Sequence, residues 1–496
     1  MNPTSQQTLG VELEFVVFYT TPGAPVSTRD NARYSPVIEA PFHIQPPMGF
    51  SVEGDYDWAE ELEAAWVRQQ VANVIARAGF MVKTSCREQE FEPGHVWNVV
   101  PDRSVTLRNA ETDAYAPLKH VGVEVQSPTF VASQAAFWEI WTVVKAINSA
   151  FRTAVPPVCG LYVHVGRGGV PLELRPVQRT ASLLWVAETL LSTLHPACRL
   201  GNAHCLDMKH YSNLSLGMKA EEATPAAIGL KERQHAAYSG DRVDKRRKRP
   251  TGYRYTPPAN LTANFNTTPS RSLAAGYGVL LFDPEEEITP EYHPIEGVQS
   301  MLRCTDTMTI ADMLAIRLDM GTYSFVNLEL QDEPEPRSPT IEFRQAAGSL
   351  DEDWVVVWAK ICLALCGPVV VDSPDDQFFQ LLYDCVRSDR KKCKYNVFDL
   401  LHDIGIRREE IAFVHRRLVT GRHEREPVLP FHRPDDCPGG LLDEGYASCW
   451  YRFAQEDDEE SDDSEEEGDA DKPDYEDEKI LREAVVNTDY KSDGSN

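Results

Sequence analysis

The amino-acid sequence predicts an α+β fold in which a single β-sheet has one dry face covered by helices and one polar, concave face. Four segments far apart in the chain alternate polar and apolar residues with the period of two that is typical of strands. Between them, apolar residues recur at helical spacing. Of the 496 residues, 42% are hydrophobic, which is enough to bury a sizeable core.

The first alternating segment is residues 9–17, LGVELEFVV. In a strand, Glu12 and Glu14 share one face and the apolar residues between them share the other. Two carboxylates on one face of a buried strand are costly unless positive charge lies between them. A divalent cation such as Mg²⁺ or Mn²⁺ would supply that charge, whereas a solvated strand face would need none, and both interpretations stand at this point.

Residues 20–55 are rich in Pro, Gly, Ser and Asp, and this composition is typical of a long connection. Apolar residues at helical spacing after Asp57 predict a helix that ends at Gly79. A strand is expected at 80–84. Another is expected at 97–105 (WNVVPDRSV), interrupted by its Pro-Asp pair.

Two further segments alternate in the same way, VGVEVQ at 121–126 and CGLYVHVG at 159–166. Their polar side chains share one face of each predicted strand, namely Glu124 and Gln126 in the first and Tyr162 and His164 in the second. Helices are predicted over 133–151 and 173–194, whereas residues 203–300 are irregular and polar.

Strands are predicted at 323–330 and 340–344, and in the second strand Glu342 and Arg344 face one way. An apolar run at 354–371 is long enough to raise the question of a membrane span. Because Lys360 interrupts it and a Gly-Pro pair follows, a buried helix over 353–366 is the better interpretation. The sequence therefore predicts no membrane association.

Four such strands would place carboxylates, a histidine and an arginine on one face of one sheet. Clustered carboxylates suit two or three divalent metal ions, and an arginine suits phosphate oxygens. This combination is typical of phosphoryl transfer, in which metal ions neutralise a triphosphate and an arginine stabilises developing charge.

Five motifs in order carry a resemblance to a known family: GVELEF, WNVVPDRSV, GVEVQSP, CGLYVHVG and TIEFRQAAGSLD. The chain resembles the amidoligase family of the glutamine synthetase and glutamate–cysteine ligase superfamily over residues 9–366, without a match at 203–300. The resemblance implies a glutamine-synthetase-like curved, mostly antiparallel sheet with helices packed on one face. It also implies ATP- and Mg²⁺- (or Mn²⁺-) dependent ligation of a small-molecule or peptide carboxylate to an amine through an acyl phosphate.

The resemblance also implies roles for individual residues. Metal ligands would be Glu12, Glu14, Glu124 and Glu342, and the catalytic pair would be Glu342 with Arg344, whose guanidinium contacts phosphate. His164, Tyr162, Arg199 and Asn202 would bind nucleotide or substrate. Asp102 and Ser104 match a polar pair of unassigned role.

The histidine strand departs from the family pattern, which reads GLHVH. Tyr162 replaces the first histidine, which by alignment with glutamine synthetase is the metal ligand. Two rival functions therefore stand beside the ligase. One is a catalytically weakened nucleotide-binding or regulatory protein of the same fold, and the other is a small-molecule phosphotransferase.

Charge and cysteine content complete the prediction. Residues 456–479 hold 16 acidic residues and 2 lysines, which is half of the net charge of −28. We therefore expect a catalytic domain over 1–435, with a variable insertion or lid at 203–300, and a disordered acidic tail over 436–496. The 11 scattered cysteines favour a reducing compartment, and the chain is expected in the cytoplasm.

A basic cluster, KRRKR at 245–249, has three interpretations: a solvated loop, a nuclear-localisation or nucleic-acid patch, or a lid that supplies cations to ATP. Because no aromatic residues interleave the run, a mobile loop is favoured over a nucleic-acid partner.

Overall fold

The computed structural model describes the chain in segments. They are residues 7–24, 35–41, 44, 58–84, 96–107, 112, 115–195, 199, 204–215, 294–316, 320–328, 339–388 and 395–420. The basic cluster, the acidic tail and Asn202 lie outside the described residues. The same holds for most of the predicted insertion.

Ten strands in the described residues form one open sheet in which most neighbours are antiparallel. They are β1 (Thr8–Thr20), β2 (Ile38–Glu39), β3 (Val82–Thr84), β4 (Trp97–Val100), β5 (Lys119–Gln126), β6 (Phe130–Val131), β7 (Thr153–Ala154), β8 (Gly160–Gly166), β9 (Tyr323–Ser324) and β10 (Thr340–Ala347). The main path runs β3-β4-β5-β1-β8-β10-β9, and the pairs β1–β2 and β3–β4 are parallel.

The longest strand, β1, lies in the middle of the sheet between β5 and β8. Leu9 to Tyr19 place every second side chain in the main hydrophobic core, as the period of two predicts. Glu12 and Glu14 project from the opposite face. The predicted sheet with one dry face is therefore confirmed as a mixed structure of helices and a large, mostly antiparallel sheet.

Helices account for most of the remaining regular structure. They are α1 (Trp58–Arg77), α2 (Gln134–Ala150), α3 (Leu174–Ser192), α4 (Met208–Tyr211), α5 (Pro294–Arg303), α6 (Thr307–Leu314), α7 (Glu352–Leu365), α8 (Pro368–Val371), α9 (Asp375–Arg387), α10 (Val397–Asp403) and α11 (Arg408–Thr420). Helix α2 begins where the sequence predicts, because Ser133 Oγ accepts a hydrogen bond from the Ala136 N–H. Helices α1, α2, α3 and α7 bury their apolar side chains in the core with the dry face.

The apolar run predicted to be a buried helix is divided into α7 and α8. By length and composition, residues Glu352–Val371 could cross a membrane, but 67% of that window is buried inside the fold. Lys360, the charge that interrupts the run, lies 2.7 Å from Glu410 Oε1 on α11. Helix α7 is therefore a core helix whose one lysine pairs with a neighbouring helix.

The face of β1 that carries the carboxylates is not polar along its whole length. Val16 and Phe18 continue that face and belong to a second apolar cluster with Val105 and Leu107, from the segment after β4. This segment lies so close to β5 that a Cβ on Gly122 would be 2.0 Å from the Val105 carbonyl oxygen. The segment closes one end of the polar face and leaves the carboxylates at the other end.

The strands predicted at 323–330 and 97–105 are wrong in their extent. Residues 323–330 were expected to be extended, but β9 ends at Ser324 and a 3-10 turn, Val326–Leu328, follows. The Asn327 side chain connects this turn to the sheet, because its Nδ2 donates to Thr340 Oγ1 on β10. The predicted strand at 97–105 is also shorter and ends at Val100 before the Pro-Asp pair.

Candidate functional site

The register of the sheet brings the predicted polar residues together. Glu12 on β1 lies opposite Gln126 on one side and Tyr162 on the other. In the next row His164 on β8 lies opposite Glu342 on β10. Directly opposite residues project from the same face of a sheet, so these side chains converge although they come from distant parts of the chain.

Glu12, His164 and Glu342 form a candidate metal centre. Each offers one ligand atom, and these atoms all lie within 4.8 Å of one another. His164 Nε2 is 3.3 Å from Glu12 Oε1, yet it has no well-directed hydrogen bond among the described residues. Two carboxylate oxygens and an imidazole nitrogen suit a divalent cation such as Mg²⁺ or Mn²⁺. Nε2 has no directed partner among the described residues, so the three ligand atoms are compatible with such an ion.

The other nitrogen of His164 has a partner that suits metal binding. Nδ1 lies 3.3 Å from Thr340 Oγ1, which also accepts a hydrogen bond from Asn327 Nδ2. An imidazole that donates through Nδ1 presents the lone pair of Nε2 to a metal, and such second partners orient metal-binding histidines. Thr340 and Asn327 therefore fix the His164 ring.

The pKa of His164 reflects its two acidic neighbours. Burial lowers the pKa of the imidazole, but the negative charges of Glu12 and Glu342 outweigh burial, and the net shift is upward. Of the two carboxylates, Glu12 has the imidazole within ion-pair distance, whereas Glu342 also pairs with the Arg344 guanidinium.

Arg344 stands at the edge of the candidate metal centre. Its Nη1 donates to Glu342 Oε1 over 2.6 Å, and its guanidinium lies 4.2 Å from the centre of the Tyr162 ring. The Arg344 Nε has no hydrogen-bond partner among the described residues. The Arg344 side chain is therefore held between Glu342 and Tyr162, and its Nε is available to donate to a further acceptor.

A second guanidinium lies beside the same tyrosine. Arg199 is 2% exposed, and its Nη2 donates to the carbonyl oxygen of Arg344 over 2.8 Å. A Cβ on Gly160 would lie 2.1 Å from the Tyr162 ring and 2.8 Å from Arg199 Nη2. Only glycine therefore leaves room for the ring and the guanidinium at this position.

Glu14 and Glu124 form the adjacent row, directly opposite each other on β1 and β5. Burial and the Asp102 charge raise the pKa of Glu14 to about 8, although the Gly160 N–H donates to it over 2.6 Å. Burial and the charges of Glu12 and Glu14 raise the pKa of Glu124 well above its usual value. Such carboxylates gain most from a nearby cation.

Tyr162 does not take the place of the missing histidine as a metal ligand in this arrangement. Its hydroxyl donates to Glu14 Oε2 over 3.3 Å, and burial followed by the Glu14 charge raises the phenol pKa above its usual value. His164 is the histidine that lies beside two carboxylates, those of Glu12 and Glu342.

Sequence reasoning missed Asn98, which lies in the row of Gln126 and Glu12. Its signal was weak because it sits between two apolar residues of β4 without a charged neighbour at spacing two. Asp102 was noted without a role, and its charge acts on both Glu14 and Glu124. His204 was also missed. Its pKa is lowered by burial and by the Arg199 and Arg344 charges, which places it near the same cations.

The sheet and its acidic face define a protein with a candidate divalent-metal centre. The family model described as "putative amidoligase enzyme" matches residues 5–254, half of the chain, and the chain belongs to this family. The family description indicates ligase-type activity. Comparison with curated proteins and with solved structures gives no significant match.

The family match covers β1, β5 and β8 but ends before β10. Glu12 and His164 therefore lie within the matched region. Glu342 and Arg344 lie beyond it, and the pairing of β10 with β8 brings them to the site.

Proposed function

We propose that the protein is an ATP-dependent carboxylate–amine ligase of the glutamine-synthetase-like superfamily. It would form an amide or peptide-like bond through an acyl phosphate. The observation that supports this proposal most strongly is the convergence of Glu12, His164 and Glu342 beside the Arg344 guanidinium. Metal ligands next to an arginine suit a bound triphosphate, because both neutralise phosphate charge.

The candidate metal ligands would act before the chemistry begins. Glu12, His164 and Glu342 would hold one Mg²⁺ or Mn²⁺, and Glu14 with Glu124 would contribute to a second site. When bound, such ions neutralise the triphosphate and make its terminal phosphorus more electrophilic. The side chains bring ligand atoms from three strands to one place, so the cost of ordering them is met during folding.

Two cations of the protein would stabilise the transferring phosphoryl group. Arg344 is fixed by Glu342 and by the Tyr162 ring, and Arg199 is buried behind it. Guanidinium groups held in advance stabilise charge that develops on phosphate oxygens without reorganising during the reaction.

The proposed reaction balances in two steps. A carboxylate oxygen of the substrate attacks the terminal phosphorus of ATP, and ADP leaves with the electron pair of the broken P–O bond. The amine nitrogen then attacks the acyl carbon and forms the C–N bond, while the C–O bond to phosphate breaks. The amine nitrogen loses one proton, which leaves with the inorganic phosphate.

The experiment that tests this proposal is an ADP-release assay on the full chain with Mg²⁺ or Mn²⁺. Standard amino acids and dicarboxylic acids serve as carboxylates, and ammonium and simple primary amines serve as nucleophiles. We expect ADP and inorganic phosphate to form in equal amounts only when carboxylate, amine and metal ion are all present.

Other outcomes of the assay would point to other functions. ADP release that requires a carboxylate but no amine, and that forms no inorganic phosphate, would indicate a phosphotransferase. Metal-dependent ATP binding without any ADP release would indicate a nucleotide-binding regulatory protein. The position of Tyr162, whose hydroxyl donates to Glu14, favours the nucleotide-binding regulatory protein over the phosphotransferase.

A further inference from the structure

Tyr162 stands where the family pattern has a histidine, and its surroundings indicate what the tyrosine does in that place. The residue is 4% exposed, and its hydroxyl donates to Glu14 Oε2 over 3.3 Å. The hydroxyl is therefore engaged within the protein. The aromatic ring, which is the larger part of the side chain, lies beside the guanidinium groups of Arg199 and Arg344.

The position of this ring is fixed by three contacts. The hydroxyl is held by Glu14, and the ring packs so closely on the backbone of Gly160 that a Cβ there would lie 2.1 Å from the ring atom Cε1. The Arg199 guanidinium lies 5.9 Å from the ring centre and is itself fixed, because its Nη2 donates to the Arg344 carbonyl oxygen. A ring with these contacts offers a rigid surface to a further group.

That further group is the Arg344 guanidinium, which lies over the ring at 4.2 Å from its centre. The negative face of an aromatic ring attracts a cation within about 6 Å, and the planar guanidinium of arginine stacks on such a face. Arg344 Nη1 also donates to Glu342 Oε1 over 2.6 Å. The guanidinium is therefore attracted both by a carboxylate and by an aromatic ring.

These two attractions respond differently to a bound divalent cation. Glu342 is one of the candidate metal ligands, so a cation would share the carboxylate charge that attracts Arg344 and would also repel the guanidinium. The Tyr162 ring is outside the set of ligand atoms, and its attraction for Arg344 does not compete with the cation. A histidine that bound a cation at position 162 would instead place another positive charge next to Arg344.

We propose that Tyr162 is a positioning residue whose ring holds the Arg344 guanidinium beside the metal ligands, where it contacts the phosphates of ATP, an inference that rests on the proposed function. The ring has this role rather than the hydroxyl, which is held by Glu14. The tyrosine acts through Arg344 and does not itself contact the nucleotide. The departure from the family pattern at this position therefore keeps a phosphate-binding site and changes how its positive charge is held.

The test is isothermal titration of the full chain with ATP in the presence of Mg²⁺. Tyr162→Leu removes the ring, and we expect the dissociation constant for ATP to rise about 10-fold, the effect of one buried cation–π contact. Tyr162→Phe keeps the ring and should bind ATP within about threefold of the unaltered protein. Tyr19→Leu is the matched control and should leave the affinity unchanged. Tyr19 is also 4% exposed and its hydroxyl also donates to a carboxylate, that of Glu63, but it lies near the other end of β1.

A double-mutant cycle tests whether the ring acts through Arg344. In the Arg344→Gln background, Tyr162→Leu should change the dissociation constant for ATP less than about twofold, because the group that the ring positions is already absent. A rise of the same size in both backgrounds would show that the ring acts independently of Arg344 and would overturn the inference.

The other possible results are distinguishable. Unchanged ATP affinity in Tyr162→Leu, or equally weak binding in Tyr162→Leu and Tyr162→Phe, overturns the role of the ring. An equal loss in Tyr19→Leu assigns the effect to folding and overturns it as well. Tighter ATP binding in Tyr162→His would assign the position to a metal ligand. ATP binding without ADP release in the unaltered protein overturns the ligase function alone, because the role of Tyr162 is measured by binding.

Discussion

At the scale of single residues, two carboxylates of this protein have different kinds of surroundings. Glu188 on α3 is satisfied by protein donors: it accepts hydrogen bonds from Thr322 Oγ1 and from the N–H groups of Met208 and Lys209. Glu12 has only His164 Nε2 within ion-pair distance among the described residues. The first pattern is typical of a structural carboxylate, and the second is typical of a site for a bound cation.

Glu188 gives a prediction for the pH dependence of stability. Burial and the neighbouring Asp207 charge raise its pKa from 4.5 to about 7. Between these values the folded protein keeps a proton that the unfolded chain has lost, so the free energy of unfolding falls as pH rises to about 7. In Glu188→Gln this dependence should disappear. Between pH 4.5 and pH 8, the stability of the variant relative to the unaltered protein should therefore rise by up to about 3 kcal/mol.

Chemical denaturation of both proteins at several pH values measures this difference. The change in relative stability with pH is informative even if glutamine loses hydrogen bonds, because that loss is the same at every pH. Parallel stability profiles for the two proteins would show that Glu188 does not titrate differently on folding.

At the scale of elements, the segment after β4 determines where the polar face ends. It crosses β5 at Gly122 and buries Val105 and Leu107 against Val16 and Phe18. This arrangement explains why β1 carries carboxylates near its start and apolar residues near its end on the same face. It also holds Asp102, whose Oδ1 accepts from the Ser104 N–H and hydroxyl, next to the carboxylates.

A methyl group on Gly122 should therefore destabilise the protein. Its Cβ would lie 2.0 Å from the Val105 carbonyl oxygen, which is backbone and cannot move without displacing the segment. Gly122→Ala should lower the free energy of unfolding by about 1–3 kcal/mol, the usual cost of overpacking. Gly10→Ala is a matched control on β1, since the nearest atom to its Cβ would be Ser127 Oγ at 3.8 Å. Equal stability of the two variants in thermal denaturation would contradict the close approach.

The elements also show how far sequence reasoning reaches. The alternation in β1, β5, β8 and β10 predicted the acidic face, because a period of two leaves little choice about which side chains share a face. The neighbours of each residue could not be predicted in the same way, because register depends on pairing between segments far apart in the chain. Asn98 was therefore missed, and the pairing of His164 rather than residue 162 with Glu342 became visible only in the sheet.

At the scale of the whole molecule, the helices and the sheet have different roles. The helical layer buries one face of the sheet, and α7 lies at the centre of this layer. Asp351 caps the start of α7 and accepts a hydrogen bond from Arg417. The other face stays open enough that Glu12 and His164 keep side-chain exposures of 15% and 20%. A rigid sheet with one accessible acidic face is a scaffold on which ligands from several strands can be held in place.

The central claim is that a divalent cation held by Glu12, His164 and Glu342 is required for nucleotide binding. Isothermal titration of the full chain with ATP, with and without Mg²⁺ or Mn²⁺, measures this requirement most directly. We predict binding only in the presence of the metal ion. Glu12→Gln and Glu342→Gln should abolish it, whereas Glu296→Gln, a change at an exposed carboxylate on α5, should not. Unchanged ATP affinity without metal ion, or in both site variants, would contradict the assignment of the metal centre.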